Sequence, residues 1–479
     1  MKLFTNFFGM TVLLTLLLSL DVIKLDSSLQ AAEDPMAFVD TVDNTYQVLC
    51  GGCHGQKMNS FLDRKWKYGK HRDSIFNSIT RGYAEQGMPS FRAALTDAQV
   101  YGLTDYILKS VEKEEQYAFA GQEIFSDTFI TASFSYELDT IAEGMSSPWG
   151  MAFLPDGDML ITDKMGILYR KTADGDMMVI GGVPAVRSKG QGGLMDVELH
   201  PNFLENSWIY LSYSKPKKQD GKNMATTAIM RAKLEENSLT EQKDIFIASP
   251  YSAKAHHFGS RIEFDREGYL YLSVGDRGNR DENPQDLGNH CGKVHRIHDD
   301  GSIPEDNPFV NTEGAMPTIY SYGHRNPQGI AMHPVTGKIW SHEHGPRGGD
   351  EINIHVPGKN YGWPVISYGI NYDGTTFTNL TEKEGMEQPL DYYVPSIAPC
   401  GMAFLTSDKY PDLENSLLVG SLKYEYCELI KFDGEKIVGR EKLLEGVGRV
   451  RNVRVGLDGY IYIAVEKPGM IFRLMPFGV

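Results

Sequence analysis

The chain is short of cations and of cysteine, and it has one long apolar run only. Its 479 residues carry 47 Lys+Arg against 63 Asp+Glu, a formal net charge of −16. That balance excludes a sequence-independent grip on nucleic acid, because no broad cationic face is left to neutralise phosphates. Five cysteines are too few to frame a disulfide scaffold. With 41% hydrophobic and 23% charged residues, the chain is neither generally disordered nor a polytopic membrane protein. The apolar run from Phe7 to Leu20 follows Lys2 and stops at Asp21, the layout of a signal peptide and short for a bilayer span. Cleavage at Ala31 or Ala32 would make 1–32 a signal peptide and send the remainder to the periplasm. The alternative is an uncleaved anchor, and membrane contact is expected only in that case. What is plentiful is Gly (49) and Tyr (25), which favours strands and turns.

Cys50-Gly51-Gly52-Cys53-His54 has the spacing of a covalent haem site. Two thiols on one turn add to the two vinyl groups, and the next side chain sets an imidazole under the iron. A thioredoxin-like pair would need a βαβ setting, and zinc would need a second ligand pair where only His71 is available. Met88, framed by Gly87 and Pro89, is the expected sixth ligand opposite His54. Val39, Val42 and Tyr46 lead into the motif at helical spacing, and Thr96 caps a helical pattern from Asp97 to Val111. Residues 36–115 thus resemble a small all-α class I cytochrome c, whose first and last helices pack together at the haem edge. Residues 116–134 read as a linker.

Beyond it the texture changes to paired short apolar runs with a Gly or Asp-Gly turn between them. Pairs begin at Gly150, Met195, Arg261, Gly329, Gly401 and Val453, each followed by a second strand such as Trp208-Ile209-Tyr210-Leu211 or Tyr269-Leu270-Tyr271-Leu272. Six copies of a unit that cannot bury its own apolar face predict an all-β six-bladed propeller over 135–479. A β-sandwich with strands of similar composition is the competing architecture.

Several polar stretches interrupt this pattern. They include Gly323-His324-Arg325-Asn326-Pro327-Gln328-Gly329, His344-Gly345-Pro346, Asn360-Tyr361-Gly362-Trp363-Pro364 and Arg449-Val450-Arg451. In this order they resemble the soluble pyrroloquinoline-quinone (PQQ) sugar dehydrogenases, the glucose/sorbosone dehydrogenase family, across nearly all of 135–475. The resemblance implies His257 as catalytic base, Asp276 as the carboxylate that orients it, and Arg325 with Asn326 at the quinone carbonyls. It further implies Gln191, His344, Lys423, Arg449 and Arg451 around PQQ, and the carbonyls of Gly345 and Pro346 on a cofactor-bound Ca²⁺. Those types suit the chemistry, since PQQ is a flat trianion and Ca²⁺ prefers carbonyl oxygens. His256, His344 and Val394 stand where these enzymes have an acidic residue, Gln and an aromatic residue, which bears on the sugar more than on the cofactor. Cys291, Cys400 and Cys427 match no ligand; a Cys400–Cys427 disulfide and three buried thiols are both open.

The expectation is therefore a periplasmic quinohaemoprotein that oxidises an aldose at C1 to a lactone with PQQ. Electrons then pass to the fused haem c and on to an external acceptor. Oxidation of sorbosone or another aldehyde or alcohol is the alternative, as is a non-catalytic binding propeller.

Overall fold

The computed structural model describes residues 42–51, 54, 61, 66–84, 88–115 and 127–477. The expected signal peptide, Cys53 and 116–126 of the expected linker lie outside the described residues. Among the described residues no helix is long and apolar enough to cross a membrane.

From Thr128 onward the chain forms six antiparallel sheets. Five are built in sequence order from 148–180, 194–247, 262–322, 327–393 and 399–443, with four strands each. The sixth takes Val450–Val455, Ile461–Val465 and Met470–Phe477 from the end of this region, then Ser135–Ala142 and Thr128–Ile130 from its beginning. The first strand of each sheet contacts the first strand of the next, and Val450–Val455 returns to Pro148–Phe153, closing a ring. This is the six-bladed propeller that the repeats predict, and each repeat pair supplies a blade's innermost two strands. The seam carries no such signal, and Thr128–Ile130 falls inside the stretch read as linker, being three residues with both ends exposed.

The second strands, for example Met159–Asp163, Leu270–Val274 and Ile461–Val465, are buried at every position. Each lies between neighbouring blades, so both faces are apolar and strict alternation disappears. Leu160, Leu168, Val197, Leu211 and Met230 form one such inter-blade core, joining the first two blades.

Where the innermost strands converge, the fully buried Arg261 joins the ring. Its guanidinium donates to Gln328 O at 2.8 Å and Arg451 O at 2.7 Å, pairs with Asp196 at 3.2 Å, and lies 3.9 Å over the Trp149 ring. Cys400 Sγ stands 3.5 Å from the same group. One side chain thereby touches each of the other five blades.

The free thiols of Cys400 and Cys427 settle the disulfide question in favour of buried thiols, as for Cys291. Gly420 pairs with Cys400 on one side and Cys427 on the other. Two strand spacings, about 9.5 Å, exceed the reach of a disulfide.

In the N-terminal module, helix Val42–Tyr46 packs on Asp97–Glu115, with Tyr46 and Tyr106 rings 5.6 Å apart. The long helix starts in a capping box: Gln99 N–H donates to Thr96 Oγ1 at 3.3 Å and Thr96 N–H to Gln99 Oε1 at 2.9 Å. Helix Arg72–Arg81 completes the packing through Ile75 and Ile79.

Candidate active site

His257 lies on the crossover from the second blade to the third. Its backbone is left-handed, φ 56°, a conformation that disfavours a side chain by about 1 kcal/mol or more. Its neighbours hold it there. Its N–H donates to Gln191 Oε1 at 2.6 Å, and Gly259 continues the turn at φ 65°. Gly275 lies so close beneath that a Cβ there would strike the His257 carbonyl. Because the turn breaks strand alternation, His256 and His257 both face one cavity of about 610 Å³, with rings edge-on at 4.7 Å.

His257 Nδ1 donates to Asp276 Oδ1 at 2.6 Å. The carboxylate also accepts from Gly278 N–H at 2.6 Å and from Trp363 Nε1 at 3.0 Å. Burial would raise the Asp276 carboxyl, but its hydrogen bond to His257 and the charge of Arg325 hold it below its ordinary value. Burial, reinforced by Arg325, lowers His257 to about 4 against the opposing pull of Asp276. An ionised carboxylate on Nδ1 fixes the tautomer, so Nε2 is an unprotonated base at neutral pH.

Arg325 roofs this pair. Its backbone N–H donates to Glu343 Oε2 at 2.5 Å, and its guanidinium to His344 O at 2.9 Å and Gly345 O at 2.7 Å. Asn326 accepts from Gly259 N–H at 3.1 Å, while its buried Nδ2 has no partner. An orphaned amide beside a fixed guanidinium is what a flat quinone with adjacent carbonyl oxygens would satisfy.

Across the channel, Arg451 Nη2 and Arg449 Nε donate to the two oxygens of Glu466, at 2.5 and 3.2 Å. Arg449 Nη1 reaches Leu422 O at 2.8 Å, next to the exposed Lys423, whose ammonium lies 4.6 Å over the Tyr424 ring. Arg451 also reaches Gln328 Oε1 at 3.4 Å, and Gln328 Nε2 lies 3.4 Å from Asn326 Oδ1, which links the two sides. Two arginines share one carboxylate, and against the opposing effect of burial they lower Glu466 to about 2. Guanidinium groups such as these and Arg325 are the donors that carboxylates of an anionic cofactor would take.

Gly345 O is already an acceptor for Arg325 but retains a second lone pair, and Pro346 lines the cavity. Asp350 receives the Gly345 N–H at 2.8 Å and fixes this turn. Among the described residues no cluster of three or more His, Cys, Asp or Glu could hold an ion by itself. A cation at Gly345 and Pro346 would therefore share oxygens with the bound cofactor, as a hard Ca²⁺ can. His344 contributes less directly: its Nε2 lies 2.8 Å from Pro399 O, and burial keeps the ring neutral.

In the N-terminal module Cys50 is buried, and Met88 packs against the same core with Phe61 and Trp66. The His54 ring stacks on Phe61 at 4.8 Å. Cys50, His54 and Met88, the residues expected at the haem, thus lie on or beside one small core.

Sequence reasoning passed over Trp363, Glu466 and Glu343. Trp363 stood in the quoted Asn-Tyr-Gly-Trp-Pro motif without a role. Glu466 follows the strand Ile461–Val465 with no local sign that two arginines converge on it. Glu343 accepts from His324 Nδ1 at 2.8 Å and from the Arg325 backbone, work visible only in three dimensions.

The family described as Glucose / Sorbosone dehydrogenase matches residues 145–473, and that of cbb3-type cytochrome c oxidase subunit III matches 37–107. The chain is 40% identical to the aldose sugar dehydrogenase of Escherichia coli, over 73% of this chain and 96% of that one. The apo crystal structure of the soluble E. coli aldose sugar dehydrogenase superposes with a TM-score of 0.68 at 39% identity, covering 71% of this chain and 100% of the other. The PQQ-bound aldose sugar dehydrogenase of Streptomyces coelicolor gives 0.58 at 26% identity, covering 71% and 98%. A match running from the first blade to the seam makes the chain a member of the glucose/sorbosone dehydrogenase family, an oxidoreductase acting on sugar CH–OH groups with a cytochrome c domain ahead of its propeller.

Proposed function

We propose that the propeller oxidises an aldose at its C1 hydroxyl to the lactone, and that the fused haem c relays the electrons to an external acceptor in the periplasm. The observation that carries this reading is the His257–Asp276 pair at 2.6 Å beneath Arg325, in a chain that also holds Cys50, His54 and Met88. When bound, PQQ supplies a quinone that accepts two electrons as hydride. Arg325 and Asn326 would hold its carbonyl edge, and Lys423, Arg449 and Arg451 its carboxylates, with Gln191 beside the base. His344 shapes the wall through its bond to Pro399 O. Carbonyls of Gly345 and Pro346 would hold Ca²⁺ on the cofactor.

The sugar's C1 hydroxyl proton goes to His257 Nε2 as the hydride leaves the same carbon. Asp276 stabilises the imidazolium so formed, and Trp363 and Gly278 keep the carboxylate from rotating away. A haem module on the same chain raises the local acceptor concentration into roughly the millimolar range.

The test is reconstitution of the full chain with PQQ and Ca²⁺, followed by a sugar panel read at the haem absorption bands. Aldoses should reduce the haem in the parent but not in His257→Ala, and removal of calcium by a chelator should suppress the signal. No reduction by any aldose, with His257→Ala indistinguishable from the parent, would leave a binding propeller as the better reading.

A further inference from the structure

The mouth of the cavity carries an aromatic side chain that the chemistry above does not use. Tyr372 lines the same cavity as His257, yet 72% of it is exposed. Its hydroxyl stands 3.4 Å from Arg325 Nη2.

The turn that presents this ring is tied inward. Within it, Asn371 N–H donates to Thr375 O at 2.9 Å, and Gly374 N–H to Asn371 O at 2.9 Å. Arg280 Nη1 donates to Asn371 Oδ1 at 2.9 Å, and its guanidinium lies 4.7 Å over the Phe377 ring. Phe377 meets Trp363 edge-on at 5.2 Å, and the Trp363 indole donates to Asp276. An unbroken series of contacts therefore runs from the carboxylate behind the base to the residue preceding Tyr372.

A large ring held at the mouth of a polar cavity, wet on one side and close to the reacting groups, suits a ligand that is itself amphipathic. A pyranose is such a ligand. When its ring hydroxyls are equatorial, its faces are C–H surfaces and its rim is hydroxyl. Lys254 and Arg280 line the same cavity and can supply donors for that rim. We propose that Tyr372 is the specificity-determining platform of the sugar site, stacking on the C–H face of an aldopyranose whose C1 is directed at His257. An axial hydroxyl on the stacked face would lift the sugar from the ring, so aldopyranoses without one are preferred. This assignment rests on the sugar oxidation proposed above.

The test uses the full chain loaded with PQQ and Ca²⁺. Kinetics with D-glucose and D-galactose, which differ in one axial hydroxyl, are compared for the parent, Tyr372→Ala and Tyr372→Trp. Calorimetric titration with 1,5-anhydroglucitol, which has no C1 hydroxyl to oxidise, reads binding alone. Tyr372→Ala should raise KM and the dissociation constant of the analogue about fivefold, with kcat within about twofold. It should also narrow the preference between the two sugars, and Tyr372→Trp should restore both. An unchanged KM in Tyr372→Ala overturns the proposal. So does a shift confined to PQQ affinity, which would make the ring a cofactor cover, or a fall in kcat that Tyr372→Trp does not rescue. A parent that oxidises no aldose defeats the underlying reading before any variant is compared.

Discussion

At His257 the backbone and the side chain are held by different partners, and the two can be separated by mutation. Gln191 fixes the main chain, while Asp276 fixes the ring. Asp276→Asn keeps the shape but can no longer stabilise a charged imidazole. It should lower kcat by about 10²-fold or more while PQQ still binds, as single-turnover rates and a PQQ titration would show. The direction of the His257 shift also has a kinetic signature. Burial and Arg325 depress its pKa to about 4, so the free base persists as pH falls through the ordinary imidazole value of 6.5. The acid limb of kcat/KM should accordingly lie well below pH 6.5. Arg325→Gln removes a depressing charge and should move that limb upward in whatever activity remains.

Among the elements, the sixth blade is the one built from both ends of the propeller. Ser135–Ala142 pairs with Met470–Phe477 from Ser135↔Phe477 to Ala142↔Ile471. A chain starting at 127 should keep the propeller's melting temperature. One starting at 143 leaves Met470–Phe477 as a bare edge and should melt about 10 °C lower or aggregate, measurable by calorimetry and light scattering. The repeat pairs were legible in the sequence because inner strands sandwiched between blades must be apolar, and Gly or Asp-Gly turns punctuate them. The seam was not, since a strand such as Thr128–Ile130 has neither length nor a buried face to mark it. The same division runs through the site. His257, Asp276 and Arg325 sit in loops whose Gly-rich, strand-breaking sequence stands out. Glu466 and Tyr372 act through partners more than a dozen residues away in sequence, which no local pattern reports.

For the whole molecule, an acidic chain has gathered its useful cations on the inside. The net charge of −16 says nothing of Arg325, which lines the cavity, or of Arg449 and Arg451, which share Glu466. Arg261 lies deeper still and serves the ring. Arg261→Met should cost about 3 kcal/mol, because Asp196 would keep only Arg454 at 3.5 Å and the carbonyls of Gln328 and Arg451 would lose their donor, and urea unfolding of the propeller would measure it. The seam has a last consequence, for the order in which the protein can be made. Arg473 and Asp139, 334 residues apart, meet at 2.6 Å in the closing blade. The early strand at Ser135–Ala142 has only the short Thr128–Ile130 beside it and must wait for the final strand to be synthesised before its other edge is paired. The cytochrome region is synthesised long before that moment, so it can fold while the propeller behind it is still an open arc.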